Sequence, residues 1–239
     1  MSYDFYELLY RDHKQHKTII DIDPPKDTVD YVINIASELV SVEPKANEAI
    51  VFSNVIYGMM PVINKDNSIG YEYVPVLKNM DEKVDVNEYI NRFNNFDINS
   101  LPLFEVAKYL EKKVEKTYTL NAYGQYFYNE GKIIMGTDYE PVFIHELAHA
   151  IDLFSSDCVL ESSFMELVAE LSTVVLCREY NINFDASASK YYLDCYTNTK
   201  IEGAKLFERV AYIYEVVKFI KQDIKNGICD LQQRKKLCW

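Results

Sequence analysis

Two histidines and a glutamate lie within five consecutive residues, His145-Glu146-Leu-Ala-His149. Residues four apart lie on one face of a helix, so both imidazoles can reach a single metal ion. Glu146 points to a neighbouring strip, where its carboxylate can polarise a water on that metal. The alternative is two core histidines with ordinary hydrogen-bond partners, but a polar strip of His145, His149 and Asp152 is costly to bury without one. The pattern therefore predicts a zinc site.

A zinc site of this kind needs a third protein ligand, and the chain has no histidine after His149. It lacks the Gly three residues after His149 and the third His of the metzincin pattern, which excludes that class. Carboxylates remain, and Glu166-Leu-Val-Ala-Glu170 places two on one face of a second helix. Two alternatives stay open: Glu166 can close a capping box that begins at Ser163, and Glu170 can be an exposed helix residue.

Charge along the same stretch also favours a metal. Between Asp138 and Glu170 there are eight acidic residues and no Lys or Arg. A solvated acidic face can account for the loop residues Asp157 and Glu161, but not for the helix strips. Because local salt bridges cannot neutralise those strips, we expect a divalent cation as the counter-charge.

The elements that carry these residues follow from hydrophobic spacing and turn signals. Apolar residues nearly all round predict a buried helix over 141–154, followed by a second helix over 163–179. Before them, β-rich residues 118–128, the turn Asn129-Glu-Gly131 and Lys132–Met135 predict a hairpin at the edge of a sheet. Further helices are predicted over 1–17, 26–39, 86–94, 101–116, 187–197 and 200–226, and further strands over 57–63 and 69–77.

This order of elements predicts an α+β fold in two regions. Residues 1–116 form a mixed N-terminal region without an assigned role. Residues 117–239 are predicted to form a second region, made of the edge hairpin, the HExxH helix and the Glu-bearing helix. In this arrangement Lys132–Met135 is the edge strand that can pair with an extended peptide.

Composition limits the partners and the compartment. The chain has 239 residues, 49% of them hydrophobic, and 25 Lys+Arg against 37 Asp+Glu give a net charge of −12. That balance argues against nucleic-acid binding and against attachment to an anionic membrane. There is no apolar run of about 18 residues and no signal-peptide order, and the five cysteines form no CxxC. We therefore expect a cytoplasmic protein.

The motifs also resemble a known family. Phe143-Ile-His-Glu-Leu-Ala-His-Ala150 and Glu166-Leu-Val-Ala-Glu-Leu171 are similar to the C-terminal metallopeptidase domain of the ArdC-type antirestriction proteins. The resemblance covers roughly residues 118–220 and includes Leu176-Cys177 and Glu208-Arg-Val-Ala-Tyr-Ile. The first hundred residues do not resemble the single-strand DNA-binding domain of that family.

The resemblance implies a zincin-like metallopeptidase core over residues 117–239, with a bound zinc and a protein or peptide substrate. It implies His145, His149 and Glu166 as the metal ligands and Glu170 as the group that orients a histidine. A zinc-dependent peptidase in which Glu146 is the general base is then the expected function. Two rival functions remain: an acidic DNA mimic or antirestriction binding protein with a structural zinc, and a metal-free interaction module. A tyrosine can stabilise the oxyanion, and the sequence does not rank Tyr123, Tyr126, Tyr191 and Tyr192.

Overall fold

The computed structural model describes residues 22–39, 49–50, 57–63, 69–75, 93–117, 122–152, 162–184 and 201–237. The helices predicted over 1–17 and 187–197, and most of the one predicted over 86–94, lie outside these residues. The described helices are α1 (Lys26–Leu39), α2 (Phe104–Tyr109), α3 (Glu140–Asp152), α4 (Ser162–Glu179), α5 (Gly203–Lys225) and α6 (Leu231–Leu237). The described strands are β1 (Ala49–Ile50), β2 (Tyr57–Ile63), β3 (Ile69–Pro75), β4 (Lys113–Lys116), β5 (Gly124–Phe127), β6 (Lys132–Met135) and β7 (Ile201–Glu202).

The fold is a mixed α+β arrangement, as predicted, and most boundaries agree with the hydrophobic spacing. Helix α1 has the predicted bounds, and α3, α4 and α5 begin and end within a few residues of theirs. Helix α5 is followed by Gly227, whose φ of 85° is the left-handed conformation that ends helices. None of the described helices is both long and apolar enough to cross a membrane.

The predicted helix over 101–116 is wrong in its second half. Helix α2 ends at Tyr109, and Glu111 has a φ of 57°, a left-handed conformation that a right-handed helix cannot contain. The chain then forms β4, in which exposed and half-buried residues alternate. Half-buried Val114 packs against the core from this strand. The alternation of a strand was present in the sequence, but it is only four residues long.

Strand β6 is the central strand of a three-stranded sheet with the order β4-β6-β5. It pairs in parallel with β4 and antiparallel with β5, in which Gly124 lies opposite Met135. Gly131 has a φ of 59° in the turn between β5 and β6. The prediction that Lys132–Met135 is an open edge is therefore wrong. Within the described ranges, β5 is paired on one side only.

Helix α3 lies at the centre of the core, which explains why it is apolar nearly all round. It packs against β5 and β6 on one side and against α4 on the other, and α5 packs against α4. Helix α1 contacts α4 and α5, and its residues Val32 and Ile35 belong to the same hydrophobic cluster. The sheet and the core thus extend across position 116, where a division into two regions was predicted. Two separate antiparallel pairs, β2–β3 and β1–β7, complete the described strands.

Candidate metal centre

Three side chains converge between α3 and α4. Nε2 of His145 lies 3.1 Å from Nε2 of His149 and 3.2 Å from Oε2 of Glu166. Nε2 of His149 lies 3.4 Å from Oε1 of Glu166. The two imidazoles share one face of α3 because they are four residues apart, and Glu166 reaches them from near the start of α4. The carboxylate of Glu166 thus lies against the imidazoles of α3.

These spacings fit a tetrahedral zinc ion. Zn–N and Zn–O bonds are about 2.0–2.1 Å long, so two ligand atoms at the tetrahedral angle lie about 3.3 Å apart. The two Nε2 atoms are 3.1 Å apart, and the two oxygens of Glu166 each lie near one of them, Oε2 at 3.2 Å from His145 and Oε1 at 3.4 Å from His149. One donor atom from each of the three residues can be chosen so that all lie within 4.8 Å of one another. Two imidazole nitrogens and a carboxylate oxygen are also a donor set that zinc prefers. The residues therefore form a possible metal-binding triad.

Glu170 contacts the opposite side of the His145 ring. Its Oε2 lies 3.1 Å from Nδ1 of His145, whereas Glu166 lies at Nε2. The two carboxylates are one helical turn apart on α4, so they bracket a single imidazole. Glu170 is 9% exposed, so the alternative that it is an exposed helix residue is wrong. A carboxylate at Nδ1 fixes the proton on that nitrogen and leaves Nε2 available as a ligand.

The pKa values of His145 and Glu166 indicate that the centre stabilises a positive charge. Burial lowers the pKa of His145, but the carboxylates of Glu166 and Glu170 outweigh this effect and raise the pKa to about 10. Burial raises the pKa of Glu166, but hydrogen bonds with His145 and His149 outweigh it and hold the pKa well below its usual range. The half-buried carboxylate of Glu166 and the buried carboxylate of Glu170 thus favour a cation between them. A metal bound by the triad would replace the imidazolium proton.

Glu146 lies beside the triad rather than in it. Its side chain is buried, with 7% of the residue exposed. Burial raises its pKa, an effect that His145 and His149 oppose, and the backbone N–H of Tyr126 donates a hydrogen bond to its carboxylate. Glu146 is therefore directed toward β5. Its carboxylate is available as a proton acceptor close to the metal ligands.

Asp152 is neutralised from a distant part of the chain. Nε of Arg209, on α5, donates a hydrogen bond of 2.8 Å to Oδ1 of Asp152, and Nη2 of Arg209 lies 3.4 Å from the Asp152 carbonyl oxygen. Asp152 is 1% exposed. The sequence predicted that local salt bridges cannot neutralise the acidic helix strips, and the partner of Asp152 indeed comes from α5. Nothing in the local pattern of residues 138–170 predicts this contact, which spans 57 residues.

Replacing Arg209 by Met is expected to destabilise the fold strongly. The substitution removes the guanidinium from the buried Asp152 carboxylate, and breaking a buried ion pair in this way costs about 3–5 kcal/mol of unfolding free energy. Urea unfolding of the variant measures the loss. Arg178→Met is the matched control, because its ion pair with Glu38 is largely exposed and is worth less than about 1 kcal/mol. A double Arg209→Met/Asp152→Leu variant should regain most of the stability. Equal stability of Arg209→Met and wild type would contradict this role.

Tyr128 is a residue that the sequence did not single out. It is 38% exposed, and its pKa is raised by partial burial of the phenol and further by the negative charges of Glu166 and Glu146. Its ring packs edge-on against Tyr126, with the centroids 5.0 Å apart. Tyr126 is 5% exposed, and burial alone raises its pKa to about 12. Tyr123 is half-buried, and Tyr191 and Tyr192 lie outside the described residues.

Comparison with family models, curated proteins and solved structures gives no match. The resemblance to the ArdC-type domain therefore rests on the motifs themselves. What the chain could do follows from the geometry of the centre between α3 and α4.

Proposed function

We propose that the protein is a zinc-dependent peptidase with a zincin-like core. The observation that carries the proposal is the convergence of His145, His149 and Glu166: the two Nε2 atoms are 3.1 Å apart, and each has a Glu166 oxygen within 3.4 Å. Glu146 lies next to this group and is buried. Three protein ligands are the number found in catalytic zinc sites, which keep a fourth position for water or substrate.

Each side chain has a separate task in this proposal. His145, His149 and Glu166 hold the zinc, which when bound supplies a Lewis acid that polarises the scissile carbonyl and activates water. Glu146 accepts a proton from the attacking water and passes it to the leaving amine. Burial raises the pKa of Glu146 and brings it closer to the working pH of a general base. Glu170 holds the His145 ring in the orientation that presents Nε2.

Strand β5, rather than β6, is the proposed docking edge for a peptide. The N–H of Gly136 donates a hydrogen bond of 2.7 Å to the carbonyl of Tyr123, so this pair of residues is hydrogen-bonded across the two strands. Because such pairs alternate along an antiparallel ladder, the backbone groups of Gly124 and Tyr126 point away from β6. The Tyr126 N–H already donates to Glu146. An extended substrate can pair with the other outward groups, the N–H and C=O of Gly124 and the C=O of Tyr126, by β-augmentation.

Tyr128 is the tyrosine that we propose as a donor to the developing oxyanion. A phenol with a raised pKa stays protonated at neutral pH, which is the state needed to donate a hydrogen bond. The negative charges of Glu146 and Glu166 contribute to the raised pKa of Tyr128, whereas burial alone raises that of Tyr126, and this difference supports the choice.

The purified protein is expected to carry about one zinc per chain and to cleave peptides only while zinc is bound. Elemental analysis measures the metal. Incubation with a proteome-derived peptide library, read by mass spectrometry, measures cleavage before chelation, after chelation and after zinc is added back. Well under half an equivalent of zinc after reconstitution would contradict the metal site. One equivalent of zinc without any cleavage would instead favour a structural zinc in an acidic binding protein, the rival function that the net charge of −12 suggests.

A further inference from the structure

We infer that Gly124 is a positioning residue for the proposed reaction: it makes room on β5 for the Glu146 carboxylate. The inference rests on the proposed function for its catalytic meaning, but the contact between β5 and Glu146 stands on the geometry alone. It assigns a role to a strand residue that belongs neither to the HExxH motif nor to the second helix.

The backbone does not require glycine at position 124. Gly131 and Gly227 have φ values of 59° and 85°, where other residues are strained. Gly124 does not have a positive φ, and it pairs in regular antiparallel register with Met135. Glycine inside a strand weakens the strand, and it often marks a place where another group approaches closely. The reason for glycine here is therefore to be found in its surroundings.

Side chains of α3 occupy the space that a side chain at position 124 would need. A Cβ there would lie 2.6 Å from Cγ1 of Val142, 2.9 Å from Cγ of Glu146 and 3.1 Å from Oε1 of Glu146. The two carbon contacts are far inside van der Waals distance. Glu146 cannot simply move aside, because it lies on a helix that is buried between the sheet and α4. A side chain at position 124 would therefore collide with Val142 and with the Glu146 side chain.

The next outward-facing residue of β5 completes this arrangement. The backbone groups of Gly124 and Tyr126 both point away from β6, and the Tyr126 N–H donates to the Glu146 carboxylate. Gly124 provides the space and Tyr126 the hydrogen bond, so two consecutive outward positions of one strand fix the carboxylate. A methyl group at position 124 would push the carboxylate away from this N–H and away from its place beside the metal ligands.

Amide hydrogen exchange tests the contact without reference to activity. In the purified wild type, the Tyr126 amide should be protected although it faces away from β6. In Gly124→Ala it should exchange at least about tenfold faster, as expected when a hydrogen bond is lost. Glu146→Ala should have the same effect. The amides of Gln125 and Phe127, which face β6, should keep their protection in all variants and serve as internal controls.

Two further variants separate the contact with Glu146 from other effects of the substitution. Gly124→Ala/Val142→Ala removes the closest clash but retains the one with Glu146, so Tyr126 should still exchange fast. Gly227→Ala is a control for a strained glycine substitution, because a Cβ there meets no atom within 4 Å. It should lower stability without changing exchange at Tyr126. Wild-type protection in Gly124→Ala, or recovery of protection in the Val142 double variant, would overturn the inference.

The effect on catalysis is measured as kcat and KM on a peptide that the wild type cleaves. Gly124→Ala should lower kcat about 100-fold, the cost of a displacement of about 1 Å, while zinc content and KM change little. A raised KM with unchanged kcat would mean that the glycine admits the peptide backbone instead, and would overturn the positioning role. If the wild type cleaves no peptide, the proposed function fails, and amide exchange still decides whether Gly124 positions Glu146.

Discussion

Glu146→Gln is expected to abolish hydrolysis while zinc remains bound. Glutamine has nearly the same shape, but its amide cannot accept a proton from water, so kcat should fall by about 10²–10⁴-fold, as for loss of a general base. The metal ligands His145, His149 and Glu166 are unchanged, and zinc content should stay near one equivalent. Loss of activity together with loss of metal would instead indicate a damaged site.

The fold should tolerate this substitution well. Burial raises the pKa of Glu146, which means that its charged form is disfavoured in the folded protein. A neutral amide avoids that cost, and its oxygen can still accept the hydrogen bond from the Tyr126 N–H. Thermal unfolding should therefore show little change. Glu140→Gln, an exposed position in the first turn of the same helix, is the matched control and should leave kcat unchanged. Wild-type cleavage by Glu146→Gln would refute the proposed base.

Glu166→Ala is expected to empty the metal site, whereas Glu170→Ala should only weaken it. Glu166 faces Nε2 of both histidines, the atoms that would bind zinc, and Glu170 faces Nδ1 of His145. Loss of a group behind a ligand typically costs about 10–100-fold in metal affinity, and loss of a ligand should exceed that range. Chelator competition measures the zinc affinity of each variant.

Controls on α4 separate the contributions of charge and position. Glu170→Gln keeps an acceptor for the Nδ1–H of His145 and should retain more affinity than Glu170→Ala. Glu179→Ala removes a carboxylate from the far end of the same helix, where it is exposed, and should not change the affinity. Should Glu170→Ala empty the site while Glu166→Ala does not, the two roles are reversed and Glu166 is only a helix cap.

Local periodicity was sufficient to predict most of the described helices and to indicate which residues could share the candidate metal centre. Helices α1, α3 and α4 depend on contacts between residues three and four apart, which any helical segment expresses in its own pattern. The same period places His145 and His149 on one face, and Glu166 and Glu170 on another. The wrong helix prediction over 101–116 has a local cause as well. A single left-handed residue, Glu111, and a strand of only four residues produce a weak pattern in the sequence.

Tertiary structure decided everything that depends on which elements lie side by side. Strand β6 is central because β4, 19 positions earlier, pairs with it in parallel, and such a pairing leaves no mark on the hydrophobic pattern of either strand. Arg209 reaches Asp152 across 57 residues for the same reason. Two carboxylates one turn apart are equivalent in sequence, and only the packing of α4 on α3 directs Glu166 to Nε2 and Glu170 to Nδ1. A residue's type and spacing limit the chemistry it can do, but the atom it meets is set by packing between elements that are distant in the chain.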